Sequence, residues 1–416
     1  MWYSEAVLAR HLTPALLASL GDSPVTLLVG ARQTGKSTLV QSLAGDRHPA
    51  EYLTFDDAAV LAAASPDPAG FVAGLRGPVV LDEVQHVPGL FPALKATVDR
   101  DRRPGRFLLT GSADVLLLPK VSESLAGRME AHTLWPLSQG EIDGVRESFL
   151  ERLFEHDLPG APRRESSGDV IPRVLRGGYP PAVQRAPGSR REGWLRSYVS
   201  AVLLRDVRDL ANVQRLHELP RLLALLAARA AAVVNVADLG RSLGIPQTSL
   251  QRYLTLLEHV FLVVRIPAWY SNLGQRVIKA PKLLVNDTAL MAHVLGLSEE
   301  RLRREPTLVG ALLENFVGME LVKQASWRDR PPDVFHFRTT KGLEVDFVLE
   351  DSLGRVAGVE VKAAASVGAR DFNGLRALAE RAGERFVRGI VLYRGEVAVP
   401  FSERLQAWPV ETLWAG

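Results

Sequence analysis

The chain contains no cysteine. This excludes disulfides, thiolate-held metals and cysteine nucleophiles together, so any metal must sit on oxygen or histidine. Long apolar runs are also missing, and no stretch approaches the roughly 20 residues that a membrane helix needs. The opening MWYSEAVLARHLTPALLASL carries charges through its apolar part, unlike a secretory signal, and the expected compartment is the cytoplasm. Lysine is scarce: only eight of the 50 basic residues are lysine, which gives weight to Lys36 and Lys362 where they fall in motifs. The nine histidines lack metal-ligand spacing, and His259 in LLEHVF reads as a packed side chain. A net charge of +3 does not by itself argue for nucleic acid, and clusters such as RDRRPGR and RLRR read as solvated surface.

What remains is ordinary globular composition, 47% hydrophobic and 23% charged, over 416 residues, enough for two or three domains. The apolar runs PVTLLVG (24–30), EYLTF (51–55), PVVLDE (78–83), RFLLTGS (106–112) and EAHTLWPL (130–137) alternate with helical pattern. That alternation predicts a parallel sheet with crossover helices over residues 1–143. A polar, Pro- and Gly-bearing stretch then opens a helical connecting or lid region, 144–234. In 235–300 a short helix ends at Gly244, a turn carries Pro246, and a second helix leads into the strand FLVVRI, an order that resembles a winged helix-turn-helix. Residues 301–416 read as a separate mixed α/β domain.

The segment GARQTGKS, Gly30 to Ser37, fits G-x-x-x-x-G-K-[ST] between a predicted strand and a predicted helix. Gly30, Ala31, Arg32, Gln33, Thr34, Gly35, Lys36, Ser37 and Thr38 are the expected binding segment for ATP. Backbone N–H groups close around the phosphates there, Lys36 reaches the β and γ oxygens, and the Ser37 hydroxyl faces Mg²⁺. Asp82 and Glu83 end the strand PVVLDE, where Asp82 is placed to hold the magnesium and Glu83 to polarise an attacking water. Thr110 and Ser112 end the next strand, where either could sense the γ-phosphate or cap a helix. Arg128, before the last strand, is the expected arginine to reach a neighbouring subunit.

Together GARQTGKS, DEVQ, LLTGSAD, SLAGR and LWPLSQGE resemble the AAA-family ATPase module of many bacterial and archaeal proteins. LRGGYPPAV, SYVSAVLLRDV, LQRYLTLLEHVFLVVRIPAW, APKLLVNDTAL, GALLENFV and EVDFVL are similar to the same proteins, which resemble the domain-of-unknown-function 4143 architecture. The resemblance implies a homo-oligomer with active sites at subunit boundaries. Arg173 and Arg176 are candidates for a second sensor arginine without a motif, and Arg205 with Asp206 reads as a structural pair.

Near the C-terminus, Asp346 lies in LEVDFVLE, and Glu360 and Lys362 lie in VAGVEVKA, where period-two alternation puts Glu360 and Lys362 on one face. With Glu314 from the helix GALLENFV, the set resembles the PD-(D/E)XK nuclease superfamily. There a helix Glu, a strand Asp and E-x-K assemble one site for Mg²⁺ or Mn²⁺, and a lysine can help activate water. The helix SLQRYL offers Gln247, Ser249, Gln251 and Arg252 as possible DNA contacts. The resulting expectation is an AAA-type ATPase acting on DNA as an ATP-dependent or ATP-gated metal-dependent nuclease. Its alternative is a nucleotide-dependent regulatory switch whose nuclease-like domain binds without cleaving.

Overall fold

The computed structural model describes residues 8–112, 125–155, 169–203, 216–272, 274, 276 and 279–416. Arg205 and Asp206 lie outside the described residues. The chain divides into two compact units, one running to Pro136 and including His259–Phe261, the other comprising Leu137–Glu258 and Leu262–Gly416. Among the described residues no helix is long and apolar enough to cross a membrane.

The first unit is built on a five-stranded sheet of β1 (Val25–Val29), β2 (Glu51–Thr54), β3 (Val79–Asp82), β4 (Phe107–Gly111) and β5 (Met129–Thr133), in the order β2-β3-β4-β1-β5. Every pairing is parallel. The strands β1, β3 and β4 are buried along their whole length, as their near-continuous Val, Leu and Phe content requires of strands covered on both faces. Edge strands β2 and β5 are more exposed. Because the chain leaves β1 and returns to its far side only with β5, β1 and β4 flank a reversal of strand order, and their carboxyl ends face the usual ligand crevice of such sheets. The final strand is shorter than the pattern EAHTLWPL predicts. After Thr133 one more bond is made, from Leu134 N–H to the Val29 carbonyl, and then Pro136 has no N–H to offer.

The second unit carries a six-stranded mixed sheet in the order β12-β13-β11-β10-β9-β8. Its strands are β8 (Asp333–Arg338), β9 (Glu344–Glu350), β10 (Val356–Lys362), β11 (Phe386–Tyr393), β12 (Val399–Pro400) and β13 (Leu405–Pro409). Strands β8, β9 and β10 form an antiparallel meander, and β10, β11 and β13 run parallel. The helix Asn373–Ala382 packs Leu375 and Leu378 into a core shared with Val345, Val348, Phe372 and Trp269. A long helix, Thr307–Ser326, is buried along most of its length. The helices Val236–Leu243 and Gln247–His259 are joined through Gly244, where the first helix ends in a left-handed conformation (φ 68°), and β6 (Val263–Ile266) pairs antiparallel with β7 (Lys282–Val285).

One glycine decides how closely the long helix approaches the sheet. A Cβ on Gly318 would stand 2.5 Å from Phe347 Cζ and 2.7 Å from Leu284 Cδ1, both buried. Gly318→Val is therefore expected to lower stability by about 1–3 kcal/mol through overpacking. A urea-unfolding midpoint unchanged from wild type would show that the helix has room to move.

Candidate functional site

The phosphate-binding loop grows out of the end of β1. Gly30 (φ 152°), Gln33 (φ 65°) and Gly35 (φ 95°) take positive φ, which turns the chain sharply before the helix Lys36–Gly45 begins. Gly30 is obligatory on space as well: a Cβ there would lie 2.3 Å from the Leu134 carbonyl oxygen. Lys36 is buried, and its ammonium donates to the carbonyls of Gly30 (2.9 Å) and Ala31 (3.0 Å), while Thr34 Oγ1 donates to the Ala31 carbonyl (2.9 Å). Arg10 supports the loop by donating to the Thr34 carbonyl (2.7 Å) and the Trp135 carbonyl (2.6 Å). Ser37 and Thr38 occupy the first turn of the helix, where N–H groups lack intrahelical acceptors and the helix dipole favours an anion. This cradle fits the phosphates of a nucleoside triphosphate.

Register brings the other groups to the same edge. Val29 is level with Gly111, and Leu81 with Leu109, so the ends of β1, β3 and β4 project Gly30, Asp82 with Glu83, and Ser112 from adjacent strands. Asp82 is buried and held from both sides: Thr110 Oγ1 donates to Oδ1, and the Tyr52 hydroxyl donates to Oδ2 (2.5 Å). Burial, with the Asp82 carboxylate adding to it, pushes the Tyr52 phenol up to about 12, so it remains a donor. Thr110 also accepts from the Glu83 N–H (3.2 Å), making one hydroxyl the joint between the two acids. Glu83 has left-handed backbone (φ 60°, ψ 46°), a conformation costly for a residue with a Cβ and concentrated at functional sites. Its carboxylate accepts from Gln85 Nε2, which also donates to Ser112 Oγ (3.0 Å). Ser37 and Asp82 could hold a magnesium ion there. Arg128 Nε is bound to Asp99 Oδ1 (2.6 Å) on the helix Leu90–Arg100 of its own chain, and that hydrogen bond keeps the Asp99 carboxyl below its usual range.

In the second unit, Glu314, Asp346, Glu360 and Lys362 come to one place. Strands β9 and β10 pair with Phe347 opposite Val359, which brings Asp346 beside Glu360. Asp346 Oδ2 accepts from the Val361 N–H (2.8 Å), and Lys362 donates to Glu360 Oε1 (2.7 Å). A second lysine occupies the centre. Lys282, from β7, is 5% exposed and places its ammonium 2.5 Å from Glu314 Oε1, 3.3 Å from the Asp346 carbonyl and 3.5 Å from Asp346 Oδ1. Burial works against its charge, but Asp346 and Glu314 outweigh it and hold the lysine above its ordinary value. Burial, with Asp346 next in effect, pushes Glu314 up to about 8 and Glu360 up to about 7. Among the described residues no group of three acidic or histidine side chains is arranged to hold a metal ion. Of the donor set expected to take Mg²⁺ or Mn²⁺ here, Glu314 and Asp346 have the Lys282 ammonium between them, and Glu360 is engaged by Lys362.

Residues 22–143 match a family model described as an AAA domain, 168–301 one described as domain of unknown function DUF8612, and 309–413 one described as domain of unknown function DUF4143. An uncharacterized protein of Mycobacterium tuberculosis and one of Mycobacterium bovis are each 32% identical over 411 residues, covering 97% of this chain and 84% of the relative. The chain belongs to their family, that of AAA-type P-loop ATPases with a DUF4143 C-terminal domain. A solved Thermotoga maritima RuvB variant shares 15% identity over 62% of this chain and 89% of that one, with a TM-score of 0.29, too slight a likeness to bear on function.

In this AAA-type ATPase, the sequence pattern passes over Arg10, Tyr52, Gln85 and Lys282. Lys282 had a signal: a lysine in an apolar strand, KLLV, of a lysine-poor chain. Arg173 and Arg176, the second-sensor candidates, are engaged inside the second unit, Arg173 with Asp143 (2.9 Å) and Arg176 with Gln139 (2.9 Å). On the helix Gln247–His259, Gln247, Gln251 and Arg252 are exposed and Ser249 is half-buried.

His336 lies beside this centre, and burial, helped by the Lys282 charge, pushes its imidazole down to about 4. Between its ordinary value near 6.5 and 4, the unfolded chain takes up a proton that the folded chain refuses. The stability present above that window is therefore lost as pH falls through it, by about 3 kcal/mol. Urea unfolding at about pH 7 and about pH 5 should show a steeper loss in wild type than in His336→Gln; equal slopes would remove His336 from the account.

Proposed function

We propose that this chain is an ATP-hydrolysing switch that acts on DNA, with a nuclease-like C-terminal domain that engages DNA without cutting it. The observation that carries hydrolysis is the convergence of Lys36, Asp82, Glu83 and Ser112 at the ends of β1, β3 and β4. In this reading Gly30 to Thr38 hold the triphosphate of ATP, Ser37 and Asp82 hold Mg²⁺, and Glu83 orients the attacking water. Gln85 and Thr110 position Glu83. Ser112 reports the γ-phosphate to Glu83 through Gln85. Arg128 would serve a neighbouring active site in a homo-oligomer only after leaving Asp99.

A second DNA contact, outside the C-terminal domain, is supported by the helix Gln247–His259, the second of the two joined through Gly244, on which Gln247, Gln251 and Arg252 stand exposed. The competing reading, a metal-dependent nuclease, needs a cation held by Asp346 and Glu360 with Glu314 as a further ligand, and the Lys282 ammonium against Glu314 and Asp346 supports the non-cutting alternative.

Four outcomes are expected. Lys36→Ala should lose nucleotide binding and turnover, whereas Glu83→Gln should bind ATP and hydrolyse it about 100-fold more slowly or worse. In fluorescence anisotropy, Arg252→Ala should weaken DNA binding evenly across sequences and reduce the salt slope by about 1. Labelled single- and double-stranded DNA should stay intact with Mg²⁺ or Mn²⁺, with or without ATP. Cleavage that disappears in Asp346→Asn would replace the switch with the nuclease, and an Arg252→Ala protein that binds DNA as wild type does would remove that helix as the contact.

A further inference from the structure

We infer that Lys282 is the resident cation of the nuclease-like centre: its ammonium takes the place of a divalent metal between Glu314 and Asp346 and joins strand β7 to the long helix and to β9. The ammonium has three protons, and the structure offers three acceptors, Glu314 Oε1, the Asp346 carbonyl and Asp346 Oδ1. The ring of Phe347 lies 5.2 Å from its nitrogen, adding a cation–π contact on an otherwise apolar side.

The remaining carboxylate oxygens are largely committed. Asp346 Oδ2 takes the Val361 N–H, Glu360 Oε1 takes Lys362, and Glu360 Oε2 takes the Asp346 N–H at 3.4 Å. A divalent ion needs oxygen ligands at short range in near-octahedral order, and these carboxylates would have to release their donors to supply them. Lys282 cannot swing out of the way as a surface lysine could. It is anchored in β7, whose Leu283, Leu284 and Val285 are all buried, and Leu284 packs toward Gly318 of the helix that carries Glu314. The centre is thus a charge clamp built from one lysine of β7 and acids of two other elements.

The inference rests on the non-cutting reading of the C-terminal domain, yet the two fail separately, since one concerns DNA and the other metal. The test uses the full chain without nucleotide, Mn²⁺ as the probe, and both electron paramagnetic resonance titration and thermal unfolding. Wild type and Asp346→Asn should bind Mn²⁺ alike, and millimolar Mn²⁺ should leave the wild-type melting temperature unchanged. Lys282→Ala, which opens the space, should melt lower and gain one Mn²⁺ equivalent, with a rise of several degrees on adding the ion. Adding Asp346→Asn to that variant should abolish the gain. A wild-type Mn²⁺ equivalent that Asp346→Asn removes would overturn the inference, and this comparison decides the matter even if no Lys282 variant folds. A Lys282→Ala protein that folds and stays blind to Mn²⁺ would overturn it as well.

Discussion

A buried ammonium has to be surrounded by oxygen, because desolvating a charge without compensation costs several kcal/mol. Three lysines are buried among the described residues of this lysine-poor chain, and each organises the structure around it. Lys36 draws the Gly30 and Ala31 carbonyls into a closed loop. Lys282 gathers Glu314 and Asp346. Lys323 binds Glu320 at 2.7 Å and the Leu137 carbonyl at 3.0 Å, tying the start of the second unit to the long helix. The nucleotide loop, the acidic centre and the seam between a loop and a helix therefore follow one rule of charge compensation.

The seam around Lys323 explains why the segment after Pro136 belongs with the C-terminal sheet. Gln139 N–H donates to Glu320 (2.9 Å), Gly178 N–H to Asp287 (2.6 Å), and Thr288 Oγ1 to the Val174 carbonyl (2.7 Å). Burial holds both Asp287 and Glu320 above the usual carboxylate range, with Lys323 the main charge opposing it. A buried polar network of this kind is geometrically demanding, since a lost partner strands a charge in a low-dielectric interior. It fixes where the chain runs more sharply than apolar packing alone would.

The nucleotide site shows the same economy at smaller scale. One hydroxyl, Thr110, touches both Asp82 and the Glu83 N–H, and one amide, Gln85, touches both the Glu83 carboxylate and Ser112. These connections run between neighbouring strands at their carboxyl ends. A change at Ser112 can therefore reach Glu83 through two hydrogen bonds, without any movement of the sheet. The strained backbone at Glu83 is sustained by that surrounding network.

The loop motif, the paired acids after an apolar strand, the alternation of strand and helix and the period-two placement of Glu360 and Lys362 were all legible in the sequence, because each depends on neighbours within a few residues. So was the meeting of Asp346 with Glu360, given a short turn between two strands. Strand order was not, and with it went the contacts of Tyr52 with Asp82 and of Thr110 with Asp82, each spanning about 30 residues. Nor was Lys282, which lies 32 positions from Glu314 and 64 from Asp346 in the chain. Local pattern thus determined which chemical groups this protein carries and which faces of their elements they occupy. Which cation meets which carboxylate was decided by tertiary packing alone, since a buried charge is paired by proximity in space, and that proximity depends on every element that closes around it.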